Sequence, residues 1–220
     1  MPEYSRPIHR MTISGDVWAV LVAAGLGSRF GGPKHRAELD GKPLWTHAEA
    51  ALRAGGVEDV VLVGDLPGWV EGGHRRRDSV ANGLDQIPPG VELVLVHDAA
   101  RPLASPDLIR RVIDRLRTGD VAGVVPAVPV RDTIKEIRQD AVVGTVDRSS
   151  LVAVQTPQGF VVEALRRAHA AGDDDATDDA MLLEAIDEQV VTVPGDPANV
   201  KITFPEDLRL ASYLRASTNG

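Results

Sequence analysis

Residues 17–34 read VWAVLVAAGLGSRFGGPK, and the stretch changes character halfway. Residues 17–24 form an apolar, partly β-branched run of the length expected for a strand buried on both faces. The run stops at Gly25 and Gly27, residues that let the backbone turn sharply and bring its N–H groups close to an anion. Arg29 and Lys34 place two positive charges beside that turn. A polyphosphate suits both features, because backbone donors and cationic side chains then act on one cluster of negative oxygens. A glycine-containing turn after a strand is also an ordinary structural device in α/β proteins. The spacing is not that of a P-loop, since Lys34 is followed by His35, nor of a dinucleotide fingerprint, since Phe30 stands where the third glycine belongs.

Outward from this stretch, strand-like and helix-like segments alternate. The pattern predicts a helix over 43–53, a strand over 59–63, a glycine- and proline-rich connection over 64–73, a helix over 78–86 and a third strand over 92–96. Such alternation implies an α/β fold with a Rossmann-like, mostly parallel sheet and helices on both faces. The third strand leads into HDAARP, residues 97–102. Ligands of open α/β sheets gather outside the carboxyl ends of the strands, so Asp98 and Arg101 share a rim with the first glycine loop. A carboxylate there can hold Mg²⁺ against phosphate oxygens, or cap the helix that follows. Ser105 or Asp107 is the better cap for the helix over 108–117.

A fourth strand is expected over 121–125. Residues 131–158 then mix short β-rich runs with turns and suggest a hairpin projecting from the sheet. Exposed apolar residues on such an arm call for a partner surface, and a second copy of the chain is the simplest one, so a homodimer is expected. Thr133, Arg148 and Thr156 lie on this arm. Helices over 160–170 and 181–186, the second with Thr177 as cap, flank an acidic run at 173–175 that reads as a solvated loop. A strand over 190–193 follows, then Lys201 in a short β-prone run, and a last helix after Phe204.

The chain has 220 residues, 43% of them hydrophobic and 25% charged, which suits one globular domain with a sizeable core. Its formal net charge of −8 offers no general attraction for nucleic acid or acidic lipid, so an anion site must gather its own positive charge. Without cysteine there are no disulfides, thiolate metal sites or cysteine nucleophiles. No segment approaches the roughly 20 apolar residues of a membrane span. Residues 1–15 read as a flexible extension and 16–220 as a single domain; a soluble, cytoplasmic protein is expected.

Ala23, Ala24, Gly25, Gly27, Arg29, Pro33 and Lys34 together resemble the A-A-G-x-G-x-R…P-K signature of nucleotidyltransferases that join a nucleoside triphosphate to a sugar or polyol phosphate. With RRDSV (76–80), VHDAARP, PVRDTIK, TVDR, QTPQGF, TDDA and NVKIT in order, the chain resembles the 2-C-methyl-D-erythritol 4-phosphate cytidylyltransferase family of the non-mevalonate isoprenoid pathway. The resemblance runs from about residue 17 to 214 and implies CTP and a polyol phosphate as substrates, Mg²⁺, and an arm exchanged between two subunits. By matching position it implies that the 23–27 backbone, Arg29 and Lys34 hold the triphosphate, while Gly73, Arg76 and Ser79 frame the cytosine and ribose. Asp98 matches the Mg²⁺ ligand, Ala99 and Arg101 adjoining acceptor positions, and Lys201 the lysine at the α-phosphate. Thr133 and Arg148 match acceptor contacts contributed across the dimer, with Thr156 in the same outer shell.

Two departures stand out: Val22 replaces a usual proline, and 64–73 is shorter than the helix and strand usual there, which leaves the nucleotide wall more open. Rival readings are a ribitol-5-phosphate cytidylyltransferase and a nucleotide-binding sensor without turnover; a nicotinamide dehydrogenase fits less well. The retained Arg29, Lys34, Asp98 and Lys201 weigh against the sensor.

Overall fold

The computed structural model describes residues 13–218 apart from 26, 28, 33, 35–36 and 173–175; the signature residue Pro33 and the acidic run lie outside the described residues. The chain opens with β1 (Val17–Val22), a small antiparallel pair β2 (Glu38–Leu39) and β3 (Lys42–Pro43), and helix α1 (Leu44–Ala54). Next come β4 (Asp59–Val63), α2 (Arg76–Leu84), β5 (Leu93–Asp98), α3 (Pro106–Leu116) and β6 (Gly123–Pro129). A hairpin of β7 (Ile134–Arg138) and β8 (Ala141–Val146) is followed by β9 (Val152–Val154), β10 (Gln158–Val161), α4 (Val162–Ala171), α5 (Asp179–Glu184), β11 (Val190–Pro194) and α6 (Asp207–Thr218).

The main sheet runs β11-β6-β10-β5-β1-β4, with β9 also paired to β6. β1 lies parallel to both β4 and β5, and β11 parallel to β6, whereas β10 is antiparallel to β5 and β6 and β9 antiparallel to β6. The sheet is therefore mostly parallel, with both faces covered, as an apolar run without polar alternation requires. Successive side chains of a strand point to opposite faces. Val17, Ala19 and Leu21 of β1, with Leu93 and Leu95 of β5, pack under Ala48 and Leu52 of α1 and Ile109, Val112 and Leu116 of α3. Val20, Val94 and Val96 face the other way, against Val80 and Leu84 of α2, Leu165 of α4 and Leu183 of α5.

Several boundaries differ from the sequence expectation. The fourth strand continues to Pro129 through two prolines; at Pro126 the missing N–H costs nothing to β9's approach, because the carbonyl accepts from Gln155 N at 2.7 Å. The arm is shorter than 131–158: only β7 and β8 form a separate hairpin, while β9 and β10 return to the main sheet. Within 13–15 the chain is not free, since Ile13 packs on the core and donates its N–H to the Arg117 carbonyl at 3.1 Å. Residues 1–12 lie outside the described residues.

The connection 64–73 keeps one residue of sheet. Val70 bridges to Val63, donating to the Leu62 carbonyl at 3.0 Å and accepting from Gly64 N at 2.9 Å. Trp69 lies over Gly64, where a Cβ would come within 2.9 Å of its ring, and meets Trp45 edge-on at 5.0 Å. A shortened segment is thus pinned to the sheet edge by two indoles.

Candidate active site

In the pairing of β1 with β5, Val22 stands opposite Asp98, so the first glycine loop and the Asp98 carboxylate leave the sheet side by side. Ala99 N donates back to the Val22 carbonyl at 3.0 Å and fixes that adjacency. A cavity of about 510 Å³ opens here, walled by Ala23, Ala24, Gly25, Gly27, Arg29 and Lys34 from the first loop. Gly73, Arg76 and Ser79 form a second wall, and Asp98, Ala99 and Lys201 the rest. The loop is held by Gly27, whose carbonyl accepts from Phe30 N at 2.8 Å and Gly31 N at 3.0 Å. Its φ of +64° is a glycine conformation, and a Cβ there would collide with the Gly32 carbonyl oxygen.

Charge in the cavity is organised around Asp98. One oxygen accepts from Lys201 Nζ at 2.6 Å and the other from Arg76 Nε at 3.2 Å. Burial alone pushes this carboxyl up, but Arg76 and Lys201 outweigh it and hold it well below the usual carboxylate range. Arg76 in turn donates from Nη1 to Asp179 at 2.6 Å, so it bridges two carboxylates. Lys34 donates to the Ile202 carbonyl at 2.9 Å, and burial, then Lys201 and Arg29, lower its pKa. Arg29, Lys34, Arg76 and Lys201 therefore crowd one rim, which favours a ligand carrying several negative charges.

Lys201 sits on a loop rather than an edge strand. Ile202 beside it is fully buried with Leu39, Leu44 and Ala211, and its N–H donates to the Ala100 carbonyl at 2.8 Å. The buried neighbour anchors the loop and turns the lysine outward. Ser105, not Asp98, caps α3, accepting from Leu108 N at 3.2 Å, so Asp98 is left for the cavity.

Other expected site residues fall elsewhere. Thr156 is a correction: it is 5% exposed beneath Asp98 rather than on the arm, accepting from Asp98 N at 3.1 Å. With that bond accepted, its hydroxyl proton is available to donate to His97 Nδ1, 2.8 Å away. His97 is then the neutral tautomer, with Nε2–H toward the Arg101 carbonyl at 3.3 Å, and burial lowers its pKa to about 4. Arg101 does not line the cavity; it reaches the Asn199 carbonyl at 2.8 Å and braces the Lys201 loop. Ser79 lines the cavity, yet its hydroxyl accepts from Gly73 N at 3.0 Å and donates to the Arg75 carbonyl at 3.2 Å, so it shapes the wall. Thr133 and Arg148 are exposed just before and just after the hairpin and do not border the cavity of their own chain.

Sequence reading missed His74 and Arg75, which also line the cavity and for which the basic run HRRR after two glycines was a usable signal. It also gave no role to Asp179 and His169. Asp178, rather than Thr177, caps α5, accepting from Met181 N at 3.0 Å.

Among the described residues no group of three His, Cys, Asp or Glu could enclose a metal ion. Among the described residues lining the cavity, Asp98 is the one that offers a carboxylate. That donor set fits Mg²⁺, which keeps its waters and binds through one or two carboxylates plus substrate phosphates.

Residues 17–216 match the family of 2-C-methyl-D-erythritol 4-phosphate cytidylyltransferase. The protein of that name from Rhodococcus jostii is 46% identical over 91% of this chain and 95% of its own length. A bifunctional enzyme IspD/IspF from Solidesulfovibrio magneticus is 44% identical over 88% of the chain, which spans 56% of that longer protein. Among solved structures, 2-C-methyl-D-erythritol 4-phosphate cytidylyltransferase from Thermus thermophilus superposes with a TM-score of 0.77 at 35% identity, covering 94% of this chain and 100% of that one.

Proposed function

This chain belongs to the 2-C-methyl-D-erythritol 4-phosphate cytidylyltransferase family, and from that membership we propose that it transfers CMP from CTP to 2-C-methyl-D-erythritol 4-phosphate and releases pyrophosphate. It is a CTP-dependent nucleotidyltransferase of non-mevalonate isoprenoid biosynthesis. The observation that carries the reading is the convergence of Arg29, Lys34 and Lys201 on one cavity beside the Asp98 carboxylate.

A phosphate oxygen of the acceptor attacks the α-phosphorus of CTP as the bond to pyrophosphate breaks. The acceptor phosphate is already ionised near neutrality, so no general base is needed. His97 is buried, neutral and engaged at both nitrogens, and takes no part as one. The work falls to positioning and charge neutralisation. Backbone N–H groups of the 23–27 turn, Arg29 and Lys34 take the triphosphate, and Lys201, next to Asp98, takes the negative charge that builds on the α-phosphate. A bound Mg²⁺, held by Asp98 and phosphate oxygens, would neutralise further charge on the triphosphate.

The hairpin presents Ile137, Val142 and Val143 at 65%, 62% and 49% exposure, which supports a homodimer in which each arm covers the partner. Thr133 and Arg148 would then reach the acceptor in the other subunit's cavity. No helix among the described residues is long and apolar enough to cross a membrane.

The test is pyrophosphate release with CTP and Mg²⁺, comparing 2-C-methyl-D-erythritol 4-phosphate with ribitol 5-phosphate. Release with the first alone is expected; release with ribitol 5-phosphate alone would move the enzyme to another pathway, and silence with both would overturn the reading.

A further inference from the structure

Arg76 spends its donors unusually. A guanidinium can grip a carboxylate with two parallel bonds, for instance through its Nε and Nη2 edge, and that fork is the strong arrangement. Here Asp98 receives only Nε, at 3.2 Å, and Asp179 receives Nη1 at the shorter 2.6 Å. Nη2, which belongs to both possible forks, is buried without a hydrogen-bond partner. A buried unpaired donor is costly, so something must keep Arg76 from rotating it onto the nearby Asp98.

Asp179 is placed to do that. It is 1% exposed at the start of α5, and its second oxygen accepts from His169 Nε2 at 3.2 Å. The end of α4 that carries His169 is itself fixed, because Arg77 donates to the His169 carbonyl at 2.9 Å and the Gly172 carbonyl at 2.7 Å. A rigid, buried anion thus pulls the far end of Arg76 away from the cavity.

We infer that Asp179 is a positioning residue: it keeps Arg76 from closing a two-bond fork on the Asp98 carboxylate, so that Arg76 holds one Asp98 oxygen by a single 3.2 Å bond that a divalent cation arriving with the nucleotide can replace. The inference rests on the CTP reading above. Without the Asp179 charge, Arg76 swings its Nε and Nη2 edge onto Asp98 and competes with the cation there. Groups that orient a metal ligand typically contribute a factor of about 10 to 100 in metal affinity or activity.

The test is calorimetric titration of CTP into the full chain without acceptor, once with Mg²⁺ and once with EDTA. In the wild type Mg²⁺ tightens CTP binding. In Asp179→Asn, binding in EDTA stays close to wild type while the Mg²⁺ enhancement falls by roughly tenfold to a hundredfold. In an Arg76→Gln background, Asp179→Asn adds no further loss, because its effect runs through that side chain. Should Asp179→Asn fail to fold, His169→Gln, which loosens the same carboxylate at its other oxygen, weakens the enhancement in the same direction. A full Mg²⁺ enhancement in either variant, or an equal further loss in the Arg76→Gln background, would overturn the inference. A wild-type chain that binds no CTP would overturn the reading beneath it.

Discussion

His97 is a fully buried imidazole at the end of β5, with one nitrogen facing Thr156 and the other the Arg101 carbonyl. Burial moves its pKa from 6.5 down to about 4. As pH falls, the unfolded chain takes up this proton near 6.5 and the native chain only near 4, so stability is lost across that window and is flat above it. The loss from this one group is roughly 3 kcal/mol. Melting temperatures measured from pH 7 to pH 4 should fall more steeply in the wild type than in His97→Gln; parallel curves would show that the imidazole is not held neutral. At this scale the sequence was partly transparent. Asp98 could be placed on the site rim because a polar residue directly after an apolar strand has few other destinations. Asp179 could not, since its partner Arg76 is 103 residues away and an acidic residue near a helix start reads equally well as a cap. Thr156 was misplaced for a related reason: one hydroxyl after a β-rich run carries no sign of whether it faces solvent or the underside of Asp98.

The hairpin of β7 and β8 is the element with the least to hold it in one chain. Its cross-strand pair Ile137 and Val142 is among the most exposed of the large apolar residues. Substituting both by lysine puts two like charges on one patch and should convert a dimer to a monomer in size-exclusion chromatography with light scattering; an unchanged mass would rule out an arm-mediated dimer. Arg148→Ala, just beyond the hairpin, should raise the acceptor Michaelis constant more than it weakens CTP binding. Equal effects on both would argue against an acceptor contact. Elements were legible wherever one periodicity ran long enough, as in β1, β4 and α3. β10 was not, because it has four residues and passes directly into α4 without a glycine or proline between them. The projecting arm was recognised but overextended, since β9 carries the same β-rich, exposed residues as the hairpin while pairing with β6.

For the molecule as a whole, a net charge of −8 is combined with a cavity rim where Arg29, Lys34 and Lys201 converge. The parallel sheet makes this possible, because adjacent strands end on the same side and release their loops together. In the connection 64–73, Val70 and the Trp45 and Trp69 pair hold a short segment against the edge of the sheet. The overall architecture was readable from alternation of strands and helices, whereas the charge network was not, since it exists only after loops far apart in sequence meet. On the proposed function, that network would support catalysis by charge neutralisation without a base. The most direct test is the single-turnover rate of Lys201→Ala with saturating CTP and acceptor, alongside its CTP dissociation constant. The rate should fall by roughly a hundredfold to a thousandfold, as when one transition-state contact is removed, with CTP binding changed far less. A near-normal rate would contradict charge neutralisation by Lys201 at the α-phosphate.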